Sequence, residues 1–382
     1  MSAALKRLLA LRIRTDGPMS LADYMALCLG HPEHGYYTTR DPLGAAGDFT
    51  TAPEISQMFG EVLGLALAQA WMDQGRPAPF ALAEAGPGRG TLMADVWRAT
   101  AAVPGFHAAA GVHLVETSPA LRARQADALA RAGVPEAAVT WHDSLSALPE
   151  APLFLLANEF FDALPIRQMQ RDTAGWRERV VGLRDGQLTL GLSDPLEVPM
   201  LGYRLPDTAP GDIVEFSPAA QAAAAVIGAR IAAHGGAALI VDYGDWRSRG
   251  DTFQAVARHA RADPLADPGG SDLTAHVDFE ALARAAAAAA RTDPIVPQGV
   301  FLERLGISAR AQALARRLTG TALQRHVAAH RRLTHPGEMG TLFKVLGLAP
   351  QGAPPLPGLT HRDAAAEEPA TDQQKPQGMR RT

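Results

Sequence analysis

The sequence predicts an α/β fold built on a mostly parallel sheet, and three observations carry that expectation. Short apolar runs at 80–84, 112–116, 138–142, 152–157 and 237–243 alternate with helix-like stretches, as strands covered on both faces by crossover helices do. The first run continues through Ala85-Gly86-Pro87-Gly88-Arg89-Gly90 into helix-like Thr91-Leu92-Met93. A strand that enters a helix through glycines lets backbone N–H groups approach a ligand that a Cβ atom would hold off. Finally, Glu84, Glu116 and Asp143 fall at the ends of three successive runs, where sheets of this kind bind their ligands.

Residues 1–75 read as an N-terminal helical segment, with Ser20 the N-cap of a helix over 21–29 and Pro53 in the first turn of a helix over 54–71. Between them lie His31-Pro32-Glu33-His34-Gly35-Tyr36-Tyr37 and Gly47-Asp48-Phe49-Thr50-Thr51-Ala52-Pro53-Glu54. Turn formers interleaved with aromatic and acidic side chains suit a loop that faces a ligand. Residues 76–252 hold the sheet core. Within them 166–216 break the rhythm, since alternating stretches at 176–183 and 187–192 flank Arg184-Asp185-Gly186, the signature of an inserted β-hairpin. Alanine- and arginine-rich 253–335 read as a helical insertion, and 336–348 as a return to the core ending in a strand at 341–347. The Pro-, Gln- and Gly-rich tail, 349–382, is expected to stay disordered.

The composition, 47% hydrophobic and 20% charged, supports a globular core, and a net charge of −4 argues against a nucleic-acid partner held by bulk electrostatics. Cys28, alone of its kind, precludes an internal disulfide and reads as a small apolar residue of the 21–29 helix in a reducing compartment. Neither a signal peptide nor an apolar run of about 20 residues is present, so the expectation is a cytoplasmic chain without membrane insertion.

Gly86, Gly88 and Gly90 form G-x-G-x-G, and Thr91 stands where a dinucleotide fingerprint needs its third glycine, which weighs against a nicotinamide-dependent oxidoreductase. Glu116 is placed to accept bonds from ribose hydroxyls and Asp143 to meet the exocyclic amine of adenine; each taken singly also fits a solvated strand end. After the fourth run comes Asn158-Glu159-Phe160-Phe161-Asp162. Polar groups between an apolar strand and paired phenylalanines are costly unless something binds them, although a capping Asn beside a structural Glu is the alternative. His31 and His34 lack a third ligand at a recognised spacing, so no metal is expected. His276 fits either a substrate pocket or a capping network around Asp272. The basic stretch 304–335 fits either a solvated face or a docking surface for an acidic protein.

These motifs, together with Asp272-Leu273-Thr274-Ala275-His276-Val277-Asp278-Phe279 and His335-Pro336-Gly337-Glu338-Met339-Gly340, occur in one order, and over residues 15–348 the chain resembles the MidA-type methyltransferases. That is the family of the mitochondrial complex I assembly factor. Ala85 stands where the family shows leucine. The resemblance implies a class I methyltransferase fold, Rossmann-like, and S-adenosyl-L-methionine as cofactor. Glu84 would receive its ammonium and Gly86, Gly88 and Gly90 would cradle its methionine end, with Glu116 and Asp143 on the nucleoside. It further implies a protein substrate, an arginine in a quinone-module subunit of respiratory complex I. Asn158 would align the attacked nitrogen, while Glu159, with Asp48 or Glu54, would grip the guanidinium. A cofactor-binding assembly module without turnover fits the same motifs, and a homodimer is compatible with them.

Overall fold

The computed structural model describes residues 2–39, 50–173, 175–257 and 260–359. A nine-stranded sheet runs through its centre in the order Arg291–Thr292, Phe343–Ala349, Gly236–Asp245, Leu153–Asn158, Phe80–Ala85, Ala110–Val115 and Val139–His142, with Val277–Asp278 and Val296–Pro297 as short side pairings. Neighbours from Gly236–Asp245 to Val139–His142 are parallel, whereas Phe343–Ala349 returns antiparallel. The parallel sheet expected from the alternating apolar runs is present.

Side chains along each strand divide by parity, because successive Cβ atoms leave opposite faces. Phe80, Leu82, Phe154, Leu156, Leu239 and Val241 pack on one face against helices Gln57–Asp73 and Thr91–Thr100. Ala81, Ala83, Ala85, Leu155, Ala238 and Ile240 pack on the other, against Pro218–His234 and Phe279–Ala287. On the first face Trp71, Phe80, Phe106 and Phe154 form a ring cluster with centroids 5.0 to 5.7 Å apart, geometry that adds about 0.5–1.5 kcal/mol per pair beyond area burial.

Several elements differ from the sequence expectation. The helix expected over 54–71 is two helices, Ala52–Ile55 and Gln57–Asp73, because Ser56 is extended (φ −163°, ψ 138°) and its hydroxyl accepts the Met58 N–H. The single hairpin expected within 166–216 is part of a five-stranded antiparallel sheet: Gly175–Arg184 and Gln187–Leu196 turn through Asp185 and Gly186 (φ 51° and 76°), and Arg167–Asp172, Ile213–Phe216 and Met19–Ser20 extend it. Two successive positive φ values give the tight turn that matches strand twist. The N-terminal segment is therefore not wholly helical; it lends Met19–Ser20 to this sheet, and Leu5, Leu9, Tyr24 and Met25 pack against Ile166 and Val181.

The 253–335 insertion is helical only from Phe279 onward. Gln254–Ala257 pairs with Ala260–Ala262 and Asp272–Thr274 in a small sheet, where partner strands override alanine's weak strand preference. The tail expected to be disordered from 349 is ordered as far as the structure describes it, to 359. Leu356 and Leu359 are buried over Gly347, and Arg291 donates to the Ala353 and Pro354 carbonyls. Two apolar anchors in a Pro-rich segment hold it down despite its composition.

Candidate active site

The parallel strands end together at a cleft of about 490 Å³, within the size range of small-molecule sites. Glu54, Glu84, Gly86, Gly88, Glu116, Asp143, Asn158 and Glu159 all line it. Asp48 lies outside the described residues.

The glycine turn explains its own sequence. Gly86, Gly88 and Gly90 have φ of 64°, 52° and 80°, a region that side chains with a Cβ enter at a cost. A Cβ on Gly86 would lie 2.9 Å from the Phe160 ring. Gly90 does not line the cleft. It precedes helix Thr91–Thr100, donates to the Pro87 carbonyl at 2.8 Å, and a Cβ there would sit 3.1 Å from Gln125 Cα. Its requirement is close packing inside the turn.

Glu84 is buried on the glycine strand, accepts the Met93 backbone N–H, and has Oε2 without a partner. Burial pushes its carboxyl up to about 8, with Asp95 adding to the shift. Glu116 lies one residue beyond its strand and receives the Ser118 N–H on Oε1 at 2.8 Å and Gln125 Nε2 on Oε2 at 3.3 Å. Burial raises its pKa too, and these bonds oppose the rise. Asp143 is exposed and pairs with Arg122 at 2.5 Å. Helix Pro119–Arg131 thus steadies both acids.

Asn158 ends the Leu153–Asn158 strand, donates to Glu159 Oε1 at 3.2 Å, and has Oδ1 buried without a partner. Glu159 has φ 50°, accepts the Ala52 N–H at 3.0 Å, and is pushed up to about 7 first by burial and then by Asp162. A non-glycine residue held in left-handed backbone is a strained conformation that its surroundings must enforce. Here Glu159 N–H donates to Val241 O at 2.9 Å, and the fully buried Asp242 carboxylate accepts from Phe161 N, Asp162 N and Tyr243 N at 3.0, 3.2 and 2.9 Å. Burial raises the Asp162 and Asp242 carboxyls as well.

Glu54 does not stand free for a substrate. Thr91 Oγ1 donates to its Oε1 at 2.5 Å and Arg89 Nη1 lies 3.7 Å from its Oε2, so both oxygens face the glycine turn. His276 lies away from the cleft, beside a small cavity, with its ring against Tyr243 at 5.4 Å. Neither sequence reading of it holds: Asp278, not Asp272, caps the following helix, and Asp272 accepts from Tyr37, a cleft residue, at 2.9 Å. His31 and His34 stack on one another at 5.0 Å. In the basic stretch Arg310 forks onto Glu61 at 2.7 Å through both nitrogens and Arg331 pairs with Glu338.

Tyr37 and Phe160, from the two segments read as ligand-facing, line the cleft, whereas Gln125, Arg122 and Asp242 carry no role in the sequence reading. Asp242 ends an apolar run just as Glu84 does. Gln125 and Arg122 follow Ser118 at helical spacings, which becomes informative only once Ser118 is known to start a helix against the site.

A family model for S-adenosyl-L-methionine-dependent methyltransferases matches residues 62–298. The protein arginine methyltransferase NDUFAF7, mitochondrial, of Xenopus tropicalis is 35% identical over 94% of this chain and 89% of its own length. Its Homo sapiens counterpart is 36% identical over 90% and 83%. A COG1565 superfamily member from Burkholderia thailandensis, solved with S-adenosyl-homocysteine bound, superposes with a TM-score of 0.81 at 30% identity, covering 94% of this chain and 95% of the other.

Proposed function

Since the chain belongs to the S-adenosyl-L-methionine-dependent methyltransferase family, we propose that the acceptor at its cleft is an arginine side chain of a protein. The observation that carries this reading is the Asn158-Glu159 pair, an amide and a carboxylate held at the end of a central strand with Asp162 and Asp242 behind them. Such a constellation suits a planar cation. Relatives at 35–36% identity named as protein arginine methyltransferases support it.

The cleft fits the cofactor. Glu84 Oε2 and Asn158 Oδ1 are buried with no partner among the described residues, which is costly unless a ligand donates to them. Glu84 would hold the ammonium, and the backbone of Gly86 and Gly88 would let the methionine end approach. Glu116 would take the ribose hydroxyls and Asp143 the adenine amine. When bound, the cofactor supplies a methyl group activated on a sulfonium.

What the protein adds is positioning and electrostatics. A guanidinium is always charged and presents N–H groups in a fixed fork. We assign Glu159 to bind that fork and fix its plane, and the Asn158 amide to align the attacked nitrogen. Glu54 we move to a supporting role, fixing Thr91 and Arg89 at the glycine turn. Methylating a guanidinium releases one proton, and Glu159, pushed up to about 7, is a carboxylate able to take it. A quinone-module subunit of respiratory complex I, methylated in the cytoplasm, is the substrate we put forward from the family resemblance.

Glu159→Gln tests the assignment in extract from cells lacking the protein, with methyl-labelled cofactor and arginine methylation read by mass spectrometry. The variant should bind S-adenosyl-homocysteine within about threefold of wild type and lose roughly 100-fold or more of its transfer rate. Undiminished transfer would remove Glu159 from the mechanism.

A further inference from the structure

Helix Pro119–Arg131 meets the cleft through its N-cap Ser118 and, four and seven residues on, the side chains of Arg122 and Gln125. Such spacings share one helical face. All three reach back to the cofactor side. Ser118 N–H donates to Glu116 Oε1 at 2.8 Å, Arg122 Nε donates to the Glu116 carbonyl at 2.8 Å, and Gln125 Nε2 donates both to the Gly88 carbonyl at 2.8 Å and to Glu116 Oε2 at 3.3 Å.

Gln125 is fully buried. Leu121 and Leu129, four residues to either side of it, are buried apolar residues, so packing alone would be served by leucine at 125. A buried amide is retained at a desolvation cost. Its orientation is fixed from behind, because Trp141 Nε1, which can only donate, bonds to Gln125 Oε1 at 2.9 Å. With the oxygen engaged, both N–H bonds must point at the glycine turn and at Glu116.

We infer that Gln125 is a positioning residue that ties the glycine turn to Glu116 and thereby sets the affinity for the nucleoside end of the cofactor. The inference rests on the cofactor placement proposed above. Glu116 then keeps one oxygen on Ser118 and the other on Gln125, with its remaining lone pairs oriented for a ribose. Trp141 reports on the arrangement from outside the cleft.

Calorimetric titration of S-adenosyl-homocysteine into the full chain tests this in four proteins: wild type, Gln125→Met, Glu116→Gln and the double variant. Gln125→Met should weaken binding about 10-fold or more, the size of a lost hydrogen bond to a charged group, and should shift Trp141 emission. The weakening should shrink in the Glu116→Gln background, because the residue acts in part through Glu116. An equal loss in both backgrounds, or none in either, would overturn the inference, since a merely structural role predicts the first. Should Gln125→Met lack a cooperative unfolding transition, Gln125→Glu keeps the acceptor for Trp141, leaves at most one O–H donor for two acceptors and sets a second carboxyl against Glu116. It should weaken binding at least as much, and unchanged affinity would again count against the role. Wild type that fails to bind overturns the cofactor placement and this inference together, whereas wild type that binds beside an undiminished variant overturns the inference alone.

Discussion

Glu84 is at once buried, half-satisfied and pushed up to about 8, so in the free protein near neutrality it is mostly protonated. An ammonium ligand favours the carboxylate, so binding must expel a proton. Affinity for S-adenosyl-homocysteine should therefore rise between pH 6.5 and 8, by at most about tenfold per unit, and level off above. Titrations in buffers of different ionisation enthalpy would count the released proton, and Glu84→Gln should flatten the profile while weakening binding throughout. Glu159 gives a second, separable dependence. It must be ionised to hold a guanidinium, so the turnover rate should climb through pH 7 in wild type. At this scale the sequence was most legible where backbone geometry dictates residue type. Gly86 and Gly88 line the cleft with positive φ, a backbone that admits little besides glycine. The contacts of Glu54 were not legible, because nothing in the chain's order reveals that Thr91 and Arg89 face its carboxylate.

Helix Gln57–Asp73 lies against helix Thr91–Thr100, the helix that the glycine turn begins. Gly60 and Gly64 make the approach close: a Cβ on Gly64 would come within 2.9 Å of Val96 Cα, and one on Gly60 within 2.6 Å of Asp95 Cβ. Gly64→Ala should therefore force the helices apart and cost about 1–3 kcal/mol, read as a lower thermal midpoint. S-adenosyl-homocysteine affinity should fall with it, because the N-terminus of Thr91–Thr100 moves. A midpoint and affinity both equal to wild type would contradict this packing account. Elements with a local signal, such as the Ser20-capped helix and the Asp185-Gly186 turn, were legible. Those defined by distant partners were not: Met19–Ser20 becomes a strand only through Val180 and Val181, and Gln254–Ala257 only through residues 260–274.

The molecule as a whole carries opposing titrations. Glu84, Asp95 and Glu159 are raised to about 8, 7 and 7, so the native state binds more protons than the unfolded chain across that range and loses stability as pH rises through it. His113, His142 and His276 are lowered by burial, so stability is lost on the acid side, as pH falls below the ordinary histidine value of about 6.5. Because the raised carboxyls lose their contribution between the ordinary carboxylate range and their native values, the thermal midpoint of the free protein should decline from pH 6.5 to 8, and S-adenosyl-homocysteine should raise it more at pH 8 than at 6.5. A midpoint that climbs over that interval would invert the sign of the carboxylate contribution. The overall architecture was readable because a two-sided parallel sheet leaves continuous apolar runs, whereas the ordering of residues 350–359 depends on Leu356 and Leu359 finding Gly347 across the fold. The most direct test of the central claim is a crystal structure with S-adenosyl-homocysteine. The ligand should lie across the strand ends, its ammonium on Glu84 and its ribose on Glu116, with the sulfur facing Asn158 and Glu159. Density for the ligand at any other place, or with its ribose turned away from Glu116, would contradict the account.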